Sequence, residues 1–594
     1  MPRQIRRGGL YPSDASGLSD ITEKTMTLNI KAKKGEFPRA FVPKDADLGD
    51  WAQIEPLFLE LEKEDPKTAR ELEAWLLKGS ELGACIDEEG TLRYVAMTCK
   101  TDDPEVEKAY MHFIQEISPK VQPHADKLNR KYVNHPESKT LAAGKYLVFD
   151  RNTRKAVEMY RDENIPLFVE LAKLGQQYQK TIGAMTVMFE GKEQTLQQMG
   201  VYMEKNDRFL REKAWRAVSD RRMHDKETIE NLFDEMLKVR AKVAANAGYA
   251  NFLEYTFDAM MRFDYTPADC EKFHAAVEEL IMPVVKKIQR KRKDTMKLGA
   301  LRPWDLAADT LGRPPLKPFE KSDKLSAGCG KIFASLSDAL GKKFQSMIDL
   351  NLLDLDSRKG KAPGGYQSTL QERRMPFIFM NAVGIDRDVW TMLHEAGHAF
   401  HVFETRNLDL LDYRSAPLEF AEVASMSMEL MGMPYLKEFY SDGDARRSAT
   451  QHLEEIIGLL PWIATIDAFQ HWLYTNPGHT CQQRTEFWLS LMDRFGGIVD
   501  WIGLEDARAC NWHRQLHIFL HPLYYIEYGI AQLGALQLWL NAKKDKAAAL
   551  KSYLNALSLG ASEPLPKLFE AAGIRFDFGR ETIEPLSNAV LKEI

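Results

Sequence analysis

Long apolar runs and an excess of positive charge are both missing from this sequence, and each absence narrows the class of protein. No apolar run approaches the roughly 18 residues of a membrane-spanning helix, so we expect no membrane segment. The arginines near the N-terminus are not followed by the apolar stretch of a secretory signal peptide. Asp14 and Asp20 argue against a transit peptide. The formal net charge of −6 gives no broad basic surface, which argues against a nucleic-acid partner.

Cysteine is scarce as well. The chain has six cysteines in 594 residues, scattered and without a CxxC pair: Cys85, Cys99, Cys270, Cys329, Cys481 and Cys510. This pattern argues against a disulfide framework and against a cysteine zinc cluster. We therefore expect reduced, mostly buried thiols and a cytoplasmic protein.

The length of the chain argues for more than one hydrophobic core, because a single core stops growing well below 594 residues. Residues 1–50 are rich in Gly, Pro, Lys and Asp and are predicted to be an irregular lead-in. Residues 51–225 are predicted to form an N-terminal helical domain, since apolar residues recur there at steps of three and four. Residues 226–594 are predicted to form a second, larger domain.

The predicted fold class is mainly α, with one small sheet near residues 350–385. Asp65 and Asp103 each precede a proline and are predicted to cap helices. The segment "AMTVMF" is predicted to be a short strand, followed by the polar turn "EGKE". The glycine loop "GKAPGGYQ" is predicted to be flexible and to contact substrate, and "PFIFMNAV" to be an exposed edge strand that could pair with an extended peptide.

The stretch "TMLHEAGHAFH" carries an HExxH motif. On a helix His394 and His398 are offset by about 40°, so both imidazoles share one face and could bind one metal ion. Glu395 would then lie beside a water at that ion. A chance match in a chain of this composition has a probability of roughly 2%. The helix is apolar nearly all round, which favours the metal site over a solvated helix face, because buried polar side chains need partners.

A hydrolytic zinc site needs a third protein ligand. The helical segment "APLEFAEVASMSMEL" offers Glu419, Glu422 and Glu429. Glu422 lies in its most apolar part, where an unpaired carboxylate would be costly, so we predict it as the ligand. Glu419 is predicted to orient a ligand histidine. His401 lies two turns from the first histidine of the motif and is predicted to be a packed histidine.

A cluster of histidines and tyrosines lies near residue 520. Its members are His513, His517, His521, Tyr524, Tyr525 and Tyr528. Such donors could stabilise the negative charge that develops on a carbonyl oxygen during amide hydrolysis. An aromatic core with satisfied hydroxyl groups explains the same residues, and the residues alone leave both readings open.

The sequence resembles the family M3 zinc metallopeptidases, which include thimet oligopeptidase and oligoendopeptidase F. The resemblance is strongest to the oligoendopeptidase F branch. Four motifs in order carry the resemblance: "GKAPGGYQ" before "PFIFMNAVG", then "HEAGHAFH", "FAEVASMSMEL" and "HPLYYIEYGIAQLGALQLW". The resemblance covers roughly residues 165–585. The first 160 residues show no motif of the family.

The resemblance implies one Zn²⁺ per chain, bound by His394, His398 and Glu422, with Glu395 as the general base. It makes residues 226–594 the catalytic zinc metallopeptidase domain. It also implies a two-lobed, mostly helical ellipsoid with a deep substrate channel and a small β-sheet beside the helix of the zinc site.

The resemblance further implies a histidine and tyrosines near the substrate carbonyl. We match the histidine to His517, with His521 as the fallback. We match the tyrosines to Tyr525 and Tyr528, with Tyr524 ranked behind them.

The expected function is a zinc-dependent endopeptidase that cuts internal bonds of short unfolded oligopeptides, as a monomer or a homodimer. One alternative is a carboxypeptidase or dipeptidyl carboxypeptidase on a similar scaffold. The other is a non-catalytic peptide-binding protein whose zinc site is vestigial, which intact ligands and an intact base argue against.

Overall fold

The structure, a computed structural model, describes residues 28–32, 35–196, 198–358, 360–362 and 364–594. The predicted lead-in therefore lies partly outside the described residues, and its described part contains neither helix nor strand. The mainly helical fold class is confirmed. No helix within the described residues is both long and apolar enough to span a membrane.

The α-helices are numbered here in chain order. The first seven are α1 Trp51–Lys63, α2 Ala69–Cys99, α3 Pro104–His112, α4 Ser118–Asn134, α5 Ser138–Ala142, α6 Leu147–Met159 and α7 Ile165–Gly183. The next nine are α8 Arg208–His224, α9 Lys226–Asn246, α10 Phe252–Ala259, α11 Pro267–Ala276, α12 Met282–Thr295, α13 Ser322–Leu336, α14 Asp338–Asp349, α15 Asp386–Thr405 and α16 Leu418–Gly432. The remainder are α17 Asp442–Thr475, α18 Cys481–Phe495, α19 Glu505–Ala509, α20 Leu516–Leu520, α21 Ile526–Lys544, α22 Lys546–Ser558, α23 Leu565–Ala571 and α24 Arg580–Leu591.

The described chain divides into two compact units, each built from separated stretches. The first unit comprises the described parts of Met1–Tyr160, Lys317–Ala445 and Gly534–Phe576. The second unit comprises the described parts of Arg161–Leu316, Arg446–Leu533 and Asp577–Ile594. The domain boundaries after residues 50 and 225 stay a prediction.

One core of the first unit forms where the early helices pack together. Helices α1, α2, α4 and α6 contribute apolar side chains at helical spacing, among them Ile54, Leu61, Leu72, Trp75 and Phe149. Burying each such side chain contributes about 1.5–3 kcal/mol. The indole N–H of Trp75 donates to the carbonyl oxygen of Leu61 over 2.9 Å, so the aromatic ring is buried without an unpaired donor.

Of the two predicted helix caps, one is confirmed and one is wrong. The Asp103 carboxylate accepts backbone N–H groups in the first turn of α3, with Pro104 at its first position. Asp65 caps nothing, because α2 begins after Thr68, whose hydroxyl accepts the N–H of Glu71. Thr68 and Glu71 have the spacing of a capping box, which places the start of the helix there.

A two-stranded antiparallel sheet joins β1 (Thr186–Phe189) to β2 (Lys192–Thr195). The predicted strand in "AMTVMF" is therefore confirmed. The turn is shorter than predicted, because only Glu190 and Gly191 form it, both with positive φ. Two residues with positive φ are the mark of a type I′ hairpin turn, which glycine favours.

A second sheet has three strands: β3 (Leu353–Asp356), β4 (Tyr366–Leu370) and β5 (Met375–Ala382). Their order is β3–β5–β4, with β3 parallel and β4 antiparallel to β5. The prediction that "PFIFMNAV" is an exposed edge strand is therefore wrong. Residues Met375 to Met380 are all buried, as the apolar run requires, and main-chain groups of β5 pair with neighbours on both sides.

Helices α15 and α16 pack closely at Gly397. A Cβ built on this glycine would lie 2.6 Å from the carbonyl oxygen of Ala424 and 2.6 Å from Cα of Ser425. Real Cβ atoms do not approach backbone so closely, so any larger residue would push the two helices apart. Glycine at this position permits their close approach.

We predict that Gly397→Ala lowers the free energy of unfolding by about 1–3 kcal/mol, the usual cost of overpacking a well-packed interior. The matched control is Gly79→Ala in α2, where a Cβ would meet nothing within 4 Å. That control should be neutral or stabilising by up to about 1 kcal/mol, because alanine is the better helix former. Urea unfolding of both variants measures the effects. Equal unfolding midpoints for the two would contradict the prediction.

Candidate metal centre

The start of α15 is fixed by one carboxylate. Asp388 accepts the backbone N–H groups of Val383 and Gly384 at 2.8 Å and of Ile385 at 3.1 Å. These donors end the loop after β5 and would otherwise have no partner at a helix N-terminus. The carboxylate therefore sets the direction in which α15 leaves the sheet.

Three predicted ligands lie together in the first unit. The nearest side-chain donor atoms of His394, His398 and Glu422 all lie within 4.8 Å of one another. Oε2 of Glu422 lies 3.4 Å from Nε2 of His394 and 3.8 Å from Nε2 of His398. The two histidines project from α15 and the glutamate from α16, so the group depends on the close packing of these helices.

This donor set fits a zinc ion. Two imidazole nitrogens and one carboxylate oxygen are a common ligand set of hydrolytic zinc sites, which keep a fourth position open. The side chains of His394 and His398 are 25% and 19% exposed, so solvent reaches the group. The arrangement can therefore hold a metal ion and still admit another molecule.

The side chain at the second ring nitrogen of His394 is Glu429, whose Oε1 lies 2.6 Å from Nδ1. This contact holds the ring and leaves Nε2 as the atom that faces Glu422. Glu419 was predicted to orient a ligand histidine; at His394 that place is taken by Glu429, and the role of Glu419 stays a prediction. The signal for Glu429 was its position seven residues after Glu422, which is two turns along the same helix face.

The charges of the group act strongly on one another. Burial opposes ionisation of Glu422, but the hydrogen bond from His394 and the charges of both histidines outweigh it, so the pKa of Glu422 falls to about 2. For the imidazole of His398, burial acts in the opposite direction and lowers the pKa to about 4. Against the effect of burial, the hydrogen bonds to Glu422 and Glu429 raise the pKa of His394 well above its ordinary value, so His394 holds a proton that a bound metal ion would displace.

Glu395 follows His394 on α15 and is buried. Burial raises the pKa of its carboxyl group to about 7, against the lowering effects of the His394 charge and of the backbone N–H of Gln367 in β4. The sheet thus supplies a hydrogen-bond donor to this carboxylate. A carboxyl group in such surroundings can both accept and release a proton near neutral pH.

His401 lies on the same helix but outside the ligand group. Its ring is buried and packs against Phe420 at a centroid distance of 6.3 Å. Burial lowers its pKa to about 3, so the ring is neutral. This position agrees with a packed histidine.

The predicted carbonyl-contacting residues lie in the second unit and also gather. The ring of His517 lies 5.0 Å from that of Tyr525 and 5.8 Å from that of Tyr528. His521 and Tyr524 surround the same histidine at 6.0 and 5.8 Å. The ring contacts therefore do not decide which histidine and which two tyrosines would contact the substrate carbonyl group. The Gln515 side chain lies 2.8 Å from Nδ1 of His517 and orients that ring.

The described part of the glycine loop is anchored to the sheet. Nζ of Lys361 is buried and donates to Asp354 in β3 and to the carbonyl oxygen of Met380 in β5. The Asn381 side chain donates to the carbonyl oxygens of Ala362 and Gly364. The flexibility of the loop and its contact with substrate both stay predictions.

Comparisons with known proteins show the family of the chain. Residues 201–587 match the model of "Peptidase family M3", and residues 47–160 match that of the "Peptidase M3 N-terminal domain". The chain belongs to peptidase family M3. The second match covers a region in which the sequence analysis found no motif.

The similar curated proteins are of the oligoendopeptidase F branch. The chain is 22% identical over 377 residues to "Oligopeptidase PepF" of Bacillus subtilis, a match that covers 59% of this chain and 54% of that protein. It is 21% identical over 473 residues to "Oligoendopeptidase F homolog" of Borreliella burgdorferi, which covers 76% of each. The chain thus spans about half of the first relative.

Solved structures share the fold over most of the chain. The structure of Pz peptidase A with an inhibitor superposes with a TM-score of 0.86 at 26% identity and covers 93% of this chain and 99% of that one. A structure named as oligoendopeptidase F of Bacillus anthracis gives a TM-score of 0.82, also at 26% identity, and covers 93% and 98%.

We predict that Glu429→Ala raises the Kd for zinc about 10- to 100-fold, because the imidazole of His394 loses the partner that orients it. The matched variant Glu419→Ala, on the same helix, should leave the Kd within about threefold, since it leaves that contact intact. Competition with a chromophoric chelator measures both constants. A larger loss in Glu419→Ala than in Glu429→Ala would return the orienting role to Glu419.

Proposed function

We propose that this chain is a zinc-dependent endopeptidase that hydrolyses internal peptide bonds of short unfolded oligopeptides. The observation that carries the proposal is the convergence of His394, His398 and Glu422, with Glu395 beside them, in a chain of peptidase family M3. The names of the relatives, oligopeptidase and oligoendopeptidase, support the substrate class.

In this proposal His394, His398 and Glu422 bind one zinc ion at this centre. Bound zinc supplies a Lewis acid that polarises a carbonyl group and lowers the pKa of water from about 16 toward about 7. The contact of Glu429 with Nδ1 of His394 supports the proposed ligand set. Because Glu429 occupies Nδ1, the other ring nitrogen, Nε2, is the atom that can bind the zinc ion.

Glu395 acts as the general base. Its carboxylate takes a proton from the attacking water and later gives that proton to the amine that leaves. Because Glu395 follows a proposed ligand directly, α15 carries the base and both histidine ligands on one rigid element. The backbone N–H of Gln367 favours the ionised form that the first proton transfer requires.

We assign His517, Tyr525 and Tyr528 to the substrate carbonyl group, whose oxygen gains negative charge in the transition state. An O–H or N–H donor that meets this oxygen stabilises the transition state more than the substrate. The assignment rests on the family resemblance, and the mutual contacts of the three rings support their acting as a group.

Two further properties belong to the proposal. The six cysteines form no disulfide, and four of them are buried, which supports a reducing compartment such as the cytoplasm. The catalytic domain is proposed to comprise residues 226–594, and the protein to act as a monomer or a homodimer.

The decisive experiment is cleavage of an unblocked oligopeptide of about a dozen residues, with products identified by mass spectrometry. We expect cuts at internal bonds that stop when a zinc chelator is added and return when zinc is restored. Loss of residues from the C-terminal end alone would instead favour a carboxypeptidase or dipeptidyl carboxypeptidase. Absence of cleavage by the zinc-loaded protein would favour a peptide-binding protein.

We predict that Glu395→Gln retains zinc but loses activity by about 10³-fold or more, because an amide cannot accept the proton of water. The matched control is Glu404→Gln on the same helix, whose carboxylate pairs with Lys343 outside the ligand group. That control should keep both zinc and turnover. Peptide cleavage rates and zinc content measure the two effects, and normal turnover of Glu395→Gln would remove it from the mechanism.

A further inference from the structure

A second group of metal-binding side chain types lies in the second unit. Cys270 and His274 stand on α11, and Asp467 and His471 stand on α17. Each pair is four residues apart, so its two members share one face of their helix. The two faces meet, and four potential ligands from two helices are brought together.

The distances suit a small metal ion. The nearest donor atoms of Cys270, Asp467 and His471 all lie within 4.8 Å of one another. Oδ2 of Asp467 lies 2.8 Å from Nε2 of His274 and 3.3 Å from Nε2 of His471. In a tetrahedral zinc site the ligand atoms are roughly 3.5 Å apart. His274 lies outside this group of three, and its ring would have to turn from its hydrogen bond with Asp467 to become the fourth ligand.

Hydrogen bonding in this group is incomplete. Both ring nitrogens of His471 and Oδ1 of Asp467 are buried and have no hydrogen-bond partner among the described residues. The 3.3 Å approach of His471 to the carboxylate thus lacks hydrogen-bond geometry. Buried polar atoms without partners are rare in proteins because each one destabilises the fold. A metal ion bound by these atoms removes that cost.

The charges of the group also suit a divalent cation. Cys270 and Asp467 are fully buried, and His274 and His471 are nearly so. A thiolate, a carboxylate and two neutral imidazoles balance the charge of Zn²⁺, and a neutral centre is the least costly at this depth. The neighbouring cation Arg262 pairs through one guanidinium nitrogen with Glu527 at 2.8 Å, and its charge also acts on Cys270, Asp467 and His471.

We propose that Cys270, His274, Asp467 and His471 form a second zinc site, structural in kind, that joins α11 to α17. The protein fills all four positions of the tetrahedron, so this site leaves none for a substrate. On binding, the thiol of Cys270 forms its bond to zinc and releases its proton to solvent. The site is independent of the peptidase proposal, because it uses none of the same residues.

Cobalt substitution tests this site directly. Co²⁺ bound by a thiolate has an intense sulfur-to-metal charge-transfer band in the near ultraviolet, and the candidate centre of the first unit contains no cysteine. We expect this band in the cobalt-loaded wild-type chain, and about two zinc ions per chain in the zinc-loaded one. Cys270→Ala should lose the band and about one zinc ion per chain, while peptide cleavage shows whether the other centre is loaded.

Two matched variants control for the other cysteines. Cys329→Ala removes an equally buried thiol and should keep both the band and the second zinc ion. Cys481→Ala removes the exposed thiol, where an adventitious ion would bind, and should also keep both. A wild-type cobalt spectrum without the band overturns the proposal. A buried water would then be the partner of the His471 ring nitrogens and of Oδ1 of Asp467. Loss of the band in Cys481→Ala but not in Cys270→Ala overturns it as well.

Discussion

The close packing of α15 against α16 is the constraint on which the candidate metal centre depends. At Gly397 the two helices approach until a methyl group no longer fits between them. Only at that separation does the carboxylate of Glu422 reach the two histidines on the facing helix. The same crossing brings Glu429 to the far side of His394. One missing side chain thus permits both the convergence of the candidate ligands and the contact of Glu429 with His394.

Features of the site that lie within a single helix could be predicted from the sequence. The spacing of His394 and His398 defines a shared face by helical geometry alone. Glu422 was predictable because an unpaired carboxylate in so apolar a segment would be costly. The partner of His394 was harder to predict, since it depends on where two helices cross and not on the period of either. Helical period placed both Glu419 and Glu429 near the face of Glu422, and the prediction chose Glu419 because it is the nearer in sequence.

The fold shows the same division between local and non-local information. The mainly helical class followed from apolar periodicity, and Asp103 capped its helix as expected. The strand "PFIFMNAV" was recognisable from its apolar run, but its central position was not, because pairing on both sides involves strands distant in sequence. The failure at Asp65 was local, since the Thr-x-x-Glu spacing of Thr68 and Glu71 already marked the start of α2 in the sequence. Residues 47–160 carry no short motif, and only comparison with the family model placed them.

The division of the first unit into three stretches has a consequence for synthesis of the protein. Gly534–Phe576 belongs to the same unit as the described residues of Met1–Tyr160. At about 5–20 residues per second, a ribosome needs roughly 20–75 seconds to travel from the end of the first stretch to the start of the last. During that time the helices of the first stretch expose the part of their apolar surface that the last stretch later covers. Nascent chains of this protein are therefore expected to be clients of chaperones that bind exposed apolar segments.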